Sequence, residues 1–236
     1  MYAEMARYYD KIYSFKDYAQ EALRVTTIIE ARLQSAGRRL LDVACGTGHH
    51  LEHLGQHFEV EGLDISAEMV ELARQRNPDV TFHVADMTDF DLGRSFDAVT
   101  CLFSSIGYVR TLERLRQALA CMAKHVLPGG VLVIEPWFGR EDWHPRTVHG
   151  SFIDEPELKI ARVNTSFAEG RISYFDLHYL IGTPEGTNHY VEHHELGLFE
   201  RDEMQEILEW LGLEVSYDEE GLTGRGLFVG VRPVKG

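Results

Sequence analysis

The chain has 236 residues, a formal net charge of −15 at pH 7 and 44% apolar residues. This length fits one large domain, or one domain that carries a substantial insertion. The acidic balance argues against a nucleic-acid surface, because phosphate binding requires a basic patch. The sequence shows no apolar run of membrane-spanning length and no leader peptide, and three unpatterned cysteines are typical of a reduced cytosol. We therefore expect a cytoplasmic protein without nucleic-acid or membrane partners.

The N-terminal segment is rich in tyrosine: five of the ten tyrosines lie within residues 1–18. Two interpretations stay open. The rings either pack against the main domain or form a lid that closes over a bound ligand. Residues 16–34 follow with the apolar spacing of a helix that leads into the first strand.

Strands and helices alternate over the next hundred residues. The sequence predicts strands at about 39–44, 58–63, 80–85, 96–103 and 131–134, and helices at about 48–57, 66–76 and 111–124. Strands that alternate with helices at this spacing form a parallel, doubly wound sheet. The predicted class is therefore α/β.

The pattern changes between residues 138 and 198. Three strands are predicted there, at 159–167, 172–180 and 187–198, with short turns that contain glycine. They indicate an antiparallel subdomain inserted after the fifth strand. A helix at 201–211 and strands at 213–217 and 226–231 return to the main sheet. We thus predict a main domain of 1–137 and 199–236, with its lid, and an insertion of 138–198.

The first strand ends in a glycine turn. Residues 40–48 read LLDVACGTG, and the second strand ends in an acid, Asp64. Glycines let the backbone approach a ligand, the next helix presents free N–H groups, and a carboxylate there can accept both hydroxyls of a ribose. The third glycine of a dinucleotide fingerprint and the Gly-Lys-Ser/Thr of a phosphate loop are absent. The turn therefore favours a nucleoside with an amino-acid tail.

Further short segments extend this pattern in a fixed order: 41–48, 62–66, 86–87, 96–99 and 127–130. Together they resemble the class I S-adenosylmethionine-dependent methyltransferases. The resemblance implies a seven-stranded, mostly parallel, Rossmann-like sheet with S-adenosylmethionine as cofactor. It places Asp64 at the ribose and Leu102 beside the cofactor. It also places Ala44, Gly46 and Gly48 beside the methionine moiety. Asp86 and Met87 are placed beside the adenine.

A second group of motifs spans nearly the whole chain: 9–10, 16–18, 86–90, 103–108, 135–137, 178–179 and 224–228. These motifs resemble the N,N-dimethyltransferases that act on nucleotide-linked aminodeoxysugars in antibiotic biosynthesis. The resemblance implies that Tyr9 touches the cofactor tail and that Arg225 holds the diphosphate of a dTDP-sugar. It implies a sugar site lined by Tyr2, Tyr18, Ser105 and Tyr108, with Trp137 also on the acceptor side.

Methyl transfer to an amine requires alignment, exclusion of water and a neutral nitrogen. We expect no dedicated nucleophile. Tyr108 and Glu135, at the carboxyl ends of central strands, are the candidate catalytic residues that accept the amine proton, and a hydrogen-bonded role at the rim is the alternative for both. His178, in the insertion, faces either the acceptor or solvent.

Some alternatives remain open at this stage. His49, His53 and His57 have the helical spacing of a metal pair, but a third ligand is missing, and we predict no metal. A guanidinium between glycines, at Arg225, suits a diphosphate, although an ordinary loop arginine paired with an acid is the alternative.

The rival functions are a methyltransferase for another small amine or hydroxyl acceptor and a silent S-adenosylmethionine-binding protein. A homodimer is also an open expectation.

Overall fold

The computed structural model of the protein describes residues 8–234. Its helices are α1 (Tyr18–Glu30), α2 (His49–Leu54), α3 (Ala67–Arg76), α4 (Leu112–Lys124) and α5 (Arg201–Trp210). Its strands are β1 (Arg39–Val43), β2 (Glu59–Asp64), β3 (Thr81–Val84), β4 (Phe96–Cys101), β5 (Val126–Ile134), β6 (Val148–Glu155), β7 (Leu158–Glu169), β8 (Ile172–Thr183), β9 (Gly186–Gly197), β10 (Glu214–Asp218) and β11 (Leu227–Val231). The described chain begins in helix, which ends at residue 12.

Seven strands form one sheet in the order β10-β11-β5-β4-β1-β2-β3. Neighbouring strands from β3 to β5 run parallel, and β11 runs antiparallel to both β5 and β10. The mostly parallel, seven-stranded α/β sheet that the sequence predicted is confirmed. The largest boundary difference is in β5, which begins at Val126 because the predicted Pro-Gly-Gly turn is an irregularity inside that strand, with Gly129 at φ +79°.

Apolar side chains cover both faces of this sheet. One buried cluster joins the sheet to α4 and α5, and another joins it to α1, α2 and α3. All six residues of β4 are buried, as expected for a central parallel strand covered on both faces. The rigid centre of the sheet therefore fixes the positions of the loops at its carboxyl edge.

Side-chain caps fix where three helices begin. The carboxylate of Asp17 accepts from the Gln20 N–H at 2.9 Å at the start of α1. Ser66 and Thr111 accept in the same way from the third residue beyond them, at 3.2 and 3.3 Å, at the starts of α3 and α4. Each cap satisfies a backbone donor that would otherwise have no partner.

A second sheet is antiparallel and contains four strands in the order β6-β7-β8-β9. The sequence predicted three of these strands and missed β6, because its residues show no clear alternation of apolar and polar side chains. The inner face of this sheet packs on the N-terminal segment, where Ile12 contacts Ile160, Leu177 and Tyr179. Among residues 8–234, no helix has the length and apolarity required to span a membrane.

Candidate functional site

A cavity of about 880 Å³ lies between the carboxyl edge of the seven-stranded sheet and the inner face of the four-stranded sheet. We call the wall formed by residues 42–47 and 64–69 the turn half. The wall formed by residues 137–196 together with Arg225 is the insertion half. Residues of the N-terminal segment and of the loop after β4 close the cavity between the two halves.

The turn half is built on left-handed backbone between β1 and α2. Ala44, Gly46 and Gly48 have φ values of +60°, +54° and +76°. A Cβ atom on Gly46 would meet nothing within 4 Å, so this glycine leaves open space at the cavity wall. A Cβ on Gly48 would lie 2.7 Å from the Asn77 amide nitrogen, and Gly48 does not line the cavity. Gly48 therefore allows α2 to approach α3, which corrects its predicted place beside the methionine moiety.

Asp64 lies at the end of β2 and lines the cavity while only 8% exposed. Its two carboxylate oxygens accept from the backbone N–H groups of Gly46 and Ser66, both at 2.9 Å. Burial raises the pKa of Asp64, although these hydrogen bonds oppose the shift. Each oxygen keeps a further lone pair for a ligand hydroxyl.

Asp42, on β1, is a second buried acid in the turn half. Thr100 donates to its carboxylate at 2.7 Å, and burial raises the pKa of Asp42 to about 6. Within the described residues, neither Asp42 nor Asp64 forms an ion pair with an arginine or a lysine. The turn half is thus a buried acidic surface.

The predicted adenine end lies beside a smaller adjoining cavity of about 90 Å³. Met87 lines both cavities, whereas Asp86 lines only the smaller one. The carboxylate of Asp86 accepts from Thr88 and forms an ion pair with Arg114 at 2.8 Å. Leu102, just after β4, lines the large cavity.

The N-terminal segment closes one side of the cavity. Tyr9 and Tyr18 both line it, burial raises the pKa of each, and Tyr18 stacks on His49 at 4.5 Å. Asp10 holds the segment in place through ion pairs with His49 and Arg76. Although burial opposes the shift, these contacts lower the pKa of Asp10 to about 2. Tyr2, which was predicted at the sugar site, lies outside the described residues.

Four residues predicted on the acceptor side line the cavity: Ser105, Tyr108, Trp137 and Arg225. The Trp137 indole donates to Ser173 Oγ at 2.9 Å, which fixes the ring at the start of the insertion. The Arg225 guanidinium lies 5.7 Å from the rings of both Trp137 and Phe138. One of its nitrogens contacts Glu135 at 3.4 Å, and its side chain is 18% exposed.

Glu135 does not line the cavity and has no exposed surface. Its carboxylate accepts from the Phe103 backbone N–H at 2.7 Å, the Thr223 hydroxyl at 2.6 Å and Arg225. It ties the loop after β4, where Phe103 and Ser104 adopt positive φ, to the C-terminal glycine loop. This position corrects the prediction that Glu135 accepts a proton from the acceptor.

His178 lies on β8 and faces away from the cavity. Residues of β8 alternate, so that Phe175, Leu177 and Tyr179 line the cavity while His178 is exposed and stacks on His189 at 5.4 Å. Successive side chains of a strand point to opposite faces. The prediction that His178 contributes to acceptor binding is therefore corrected.

Several lining residues were not predicted from the sequence. They come mainly from the N-terminal segment and from alternate positions of the insertion strands: Tyr13, His149, Arg162, Asn164, Phe175, Tyr179, Glu192 and His194. Period-two alternation groups the strand residues among them by face. Tyr13 belongs to the tyrosine-rich N-terminal segment, for which a lid was one of the two open interpretations. Which face turns inward depends on how the insertion docks on the main sheet.

The comparisons with known proteins agree with this geometry. Residues 40–130 match the methyltransferase domain family. A dTDP-3-amino-3,6-dideoxy-α-D-glucopyranose N,N-dimethyltransferase of Streptomyces fradiae is 42% identical over 99% of this chain and 92% of its own length. This chain is a methyltransferase.

Solved structures extend the agreement to the whole methyltransferase fold. DesVI of Streptomyces venezuelae is 42% identical, with a TM-score of 0.91 over 97% of this chain and 98% of its own. CalS10 of Micromonospora echinaspora, an amino pentose methyltransferase solved with S-adenosylmethionine bound, is 40% identical with a TM-score of 0.88 over 95% of this chain and 96% of its own. The class I fold and S-adenosylmethionine as the cofactor of this methyltransferase are thereby confirmed.

Proposed function

We propose that this methyltransferase methylates the amino group of a dTDP-linked aminodeoxysugar. The observation that carries the proposal is the uneven charge of the cavity. The turn half presents two buried carboxylates without a paired arginine or lysine among the described residues, whereas the insertion half presents two arginines, Arg162 and Arg225, and one carboxylate, Glu192. A cationic cofactor suits the first half, and a diphosphate suits the second.

The residues of the turn half fit S-adenosylmethionine. Gly46 leaves the space that a bound amino-acid tail would take, and Asp64 keeps lone pairs for ribose hydroxyls. We assign Tyr9, Ala44, Met87 and Leu102 to the same ligand because they line the cavity around these two residues. When bound, the cofactor supplies an electrophilic methyl group on a sulfonium. The chain itself supplies alignment and a site shielded from water.

The insertion half fits a sugar nucleotide. Aromatic rings of Trp137, Trp143 and Phe175 lie within 6.4 Å of one another along the cavity wall and offer stacking surfaces for a base or a sugar. The similarity to the Streptomyces fradiae dimethyltransferase extends over 99% of the chain and so includes the insertion. This breadth supports an aminosugar over another small amine or hydroxyl acceptor.

Other predictions stay predictions. These are the division into 1–137 with 199–236 and 138–198, a cytoplasmic location and a homodimer. The outer face of the four-stranded sheet exposes apolar side chains, with Phe152, Val163 and Leu180 at 74%, 42% and 52% exposure. An apolar face of this kind would suit contact between two copies.

The proposed function is tested by product mass. The purified protein is incubated with S-adenosylmethionine and, separately, with a dTDP-aminodeoxysugar, the same aminosugar without its nucleotide, and a catechol. We expect gain of one or two methyl groups on the dTDP-aminosugar and little product from the others. Turnover only on the free amine or the catechol would exclude the dTDP-sugar. Cofactor binding without any product would favour a silent binding protein.

A further inference from the structure

A hydrogen bond joins the two sheets inside the cavity. The hydroxyl of Tyr108, in the 3₁₀ segment after β4, lies 2.8 Å from Nδ1 of His194 on β9. Both residues line the cavity, and His194 is only 7% exposed. A buried imidazole is therefore hydrogen-bonded to a phenol that lines the cavity.

The other ring nitrogen of His194 has a specific environment. Nε2 is buried and has no hydrogen-bond partner among residues 8–234, and it lies 3.8 Å from the carboxylate of Glu192. With the ring proton on Nε2, Nδ1 accepts from the Tyr108 hydroxyl and the Nε2–H group faces Glu192. If His194 gains a second proton, this carboxylate stabilises the imidazolium.

Few other charged groups surround this pair. On β8, Phe175 stacks on the His194 ring at 5.3 Å and contributes no charge. Glu192 accepts from the Tyr179 hydroxyl and also interacts with Tyr13, whose own hydrogen-bond partner is Arg162. Arg162 is engaged by Tyr13, and Glu192 places its carboxylate 3.8 Å from Nε2 of His194.

We propose that Tyr108 and His194 form a proton relay that deprotonates the acceptor's ammonium group. The inference rests on the proposed function, because it requires an amine as acceptor. Aliphatic amines are mostly protonated at neutral pH, and an ammonium has no lone pair with which to attack a methyl group.

In net terms, the relay moves one proton from the acceptor's ammonium group to His194. An N–H bond of the ammonium breaks, and its electron pair stays on nitrogen as the lone pair. The Tyr108 oxygen takes this proton while its own O–H proton passes to Nδ1 of His194. The amine becomes neutral, Tyr108 remains a phenol, and the imidazolium faces Glu192. The imidazolium then returns its proton to water before the next cycle.

In this scheme Tyr108 is the catalytic residue that touches the acceptor, and His194 is a positioning residue that acts through it. His194→Asn separates the two roles of the imidazole, because the asparagine oxygen can accept the Tyr108 hydrogen bond but cannot hold a proton at neutral pH. His193→Asn is the matched control: His193 is the neighbour on β9, exposed and paired with Asp176.

The experiment measures kcat and KM for the dTDP-aminosugar between about pH 6 and pH 10. This range extends from neutral pH to the pKa values that are usual for aliphatic amines. We expect His194→Asn to lower kcat about 100-fold at pH 7, the scale of general-base catalysis. The deficit should shrink as the pH rises through the pKa of the acceptor amine, because the acceptor then arrives neutral. Tyr108→Phe should show the same recovery, and His193→Asn should match the wild type.

If kcat of His194→Asn is reduced by the same factor at every pH, the relay is overturned and His194 has only a structural role. An unchanged kcat in this variant would also overturn the relay. A second readout needs no turnover: ¹⁵N NMR of the histidine rings with S-adenosylhomocysteine bound. The ¹⁵N chemical shift of His194 Nδ1 should change in Tyr108→Phe, and an unchanged chemical shift contradicts the hydrogen bond on which the relay depends. Failure of the proposed function is recognised separately, because the wild type would then form no product from the dTDP-aminosugar at any pH.

Discussion

The two halves of the cavity are built in different ways. The turn half takes its residues from two short segments, at the ends of β1 and β2, and backbone geometry defines it. The insertion half takes side chains from four antiparallel strands and from a distant C-terminal loop. Backbone turns present the same groups whatever side chains surround them. The cavity thus joins a half that is defined by backbone geometry to a half that is defined by side chains from distant segments.

The halves also differ in charge, and four substitutions test that difference. The turn half carries acids that burial keeps from ionising easily, as the raised pKa values of Asp42 and Asp64 indicate. The insertion half carries arginines that lie beside hydroxyls, aromatic rings and a carboxylate. If the comparison is correct, substitutions in one half should leave ligand binding in the other unchanged.

The largest effect is expected on stability, from Asp42→Asn. The folded pKa of Asp42 is about 6, whereas an unfolded aspartate has a pKa of about 3.9. Between these values the folded state holds more protons, so this residue costs increasing stability as the pH rises, about 3 kcal/mol by pH 7. Asparagine removes that cost and keeps an oxygen for Thr100.

Urea denaturation of both proteins at pH 4 and pH 7 measures this effect. Relative to wild type, the free energy of unfolding of Asp42→Asn should rise by about 2 kcal/mol more at pH 7 than at pH 4. The exposed Asp79→Asn is the control for a simple change of net charge. A difference that is constant with pH would show that Asp42 is not a buried, destabilising acid.

The next effect is on cofactor affinity, from Asp64→Asn. The amide carries no charge, and it has one acceptor oxygen where the carboxylate has two, which accept from the backbone N–H groups of Gly46 and Ser66. Hydrogen bonds to charged groups contribute about 2 kcal/mol, so the Kd of S-adenosylhomocysteine should rise about 30-fold by calorimetry. Glu59→Gln, an exposed position on the same strand, should leave it unchanged. Loss of acceptor affinity with normal cofactor affinity would reverse the assignment of the two halves.

The smallest effect is on the acceptor, from Arg162→Ala and Arg225→Ala. Each arginine lines the insertion half, and each change should raise the KM of the dTDP-aminosugar about tenfold, or about 1.4 kcal/mol. The Kd of S-adenosylhomocysteine should not change, and neither constant should change in Arg116→Ala on the exposed face of α4. If only Arg162→Ala raises KM, the diphosphate lies away from the residue that the resemblance implied.

The sequence predicted the turn half well, because its features are local. A glycine turn after an apolar strand and an acid after the next strand are close in sequence, and parallel strands bring their carboxyl ends to one edge. The resemblance, and not the strand pattern, placed Leu102 beside the cofactor and Ser105 at the sugar site, and both residues line the cavity. It was less accurate for Gly48, which packs α2 against α3, because spacing does not show which of two glycines faces the ligand.

The sequence by itself therefore determined the α/β sheet and the position of the glycine turn and of Asp64 at its carboxyl edge, since each depends on local backbone preference and on strand order. Only the tertiary structure decided the rest. Alternation along β8 and β9 groups residues by face, but the docking of the insertion on the main sheet turned His194 inward and His178 outward. The same packing buried Glu135 under three donors and left Tyr108 in the cavity with an imidazole behind it. Which side chains meet the acceptor depends on contacts between residues far apart in the chain, and no local pattern encodes them.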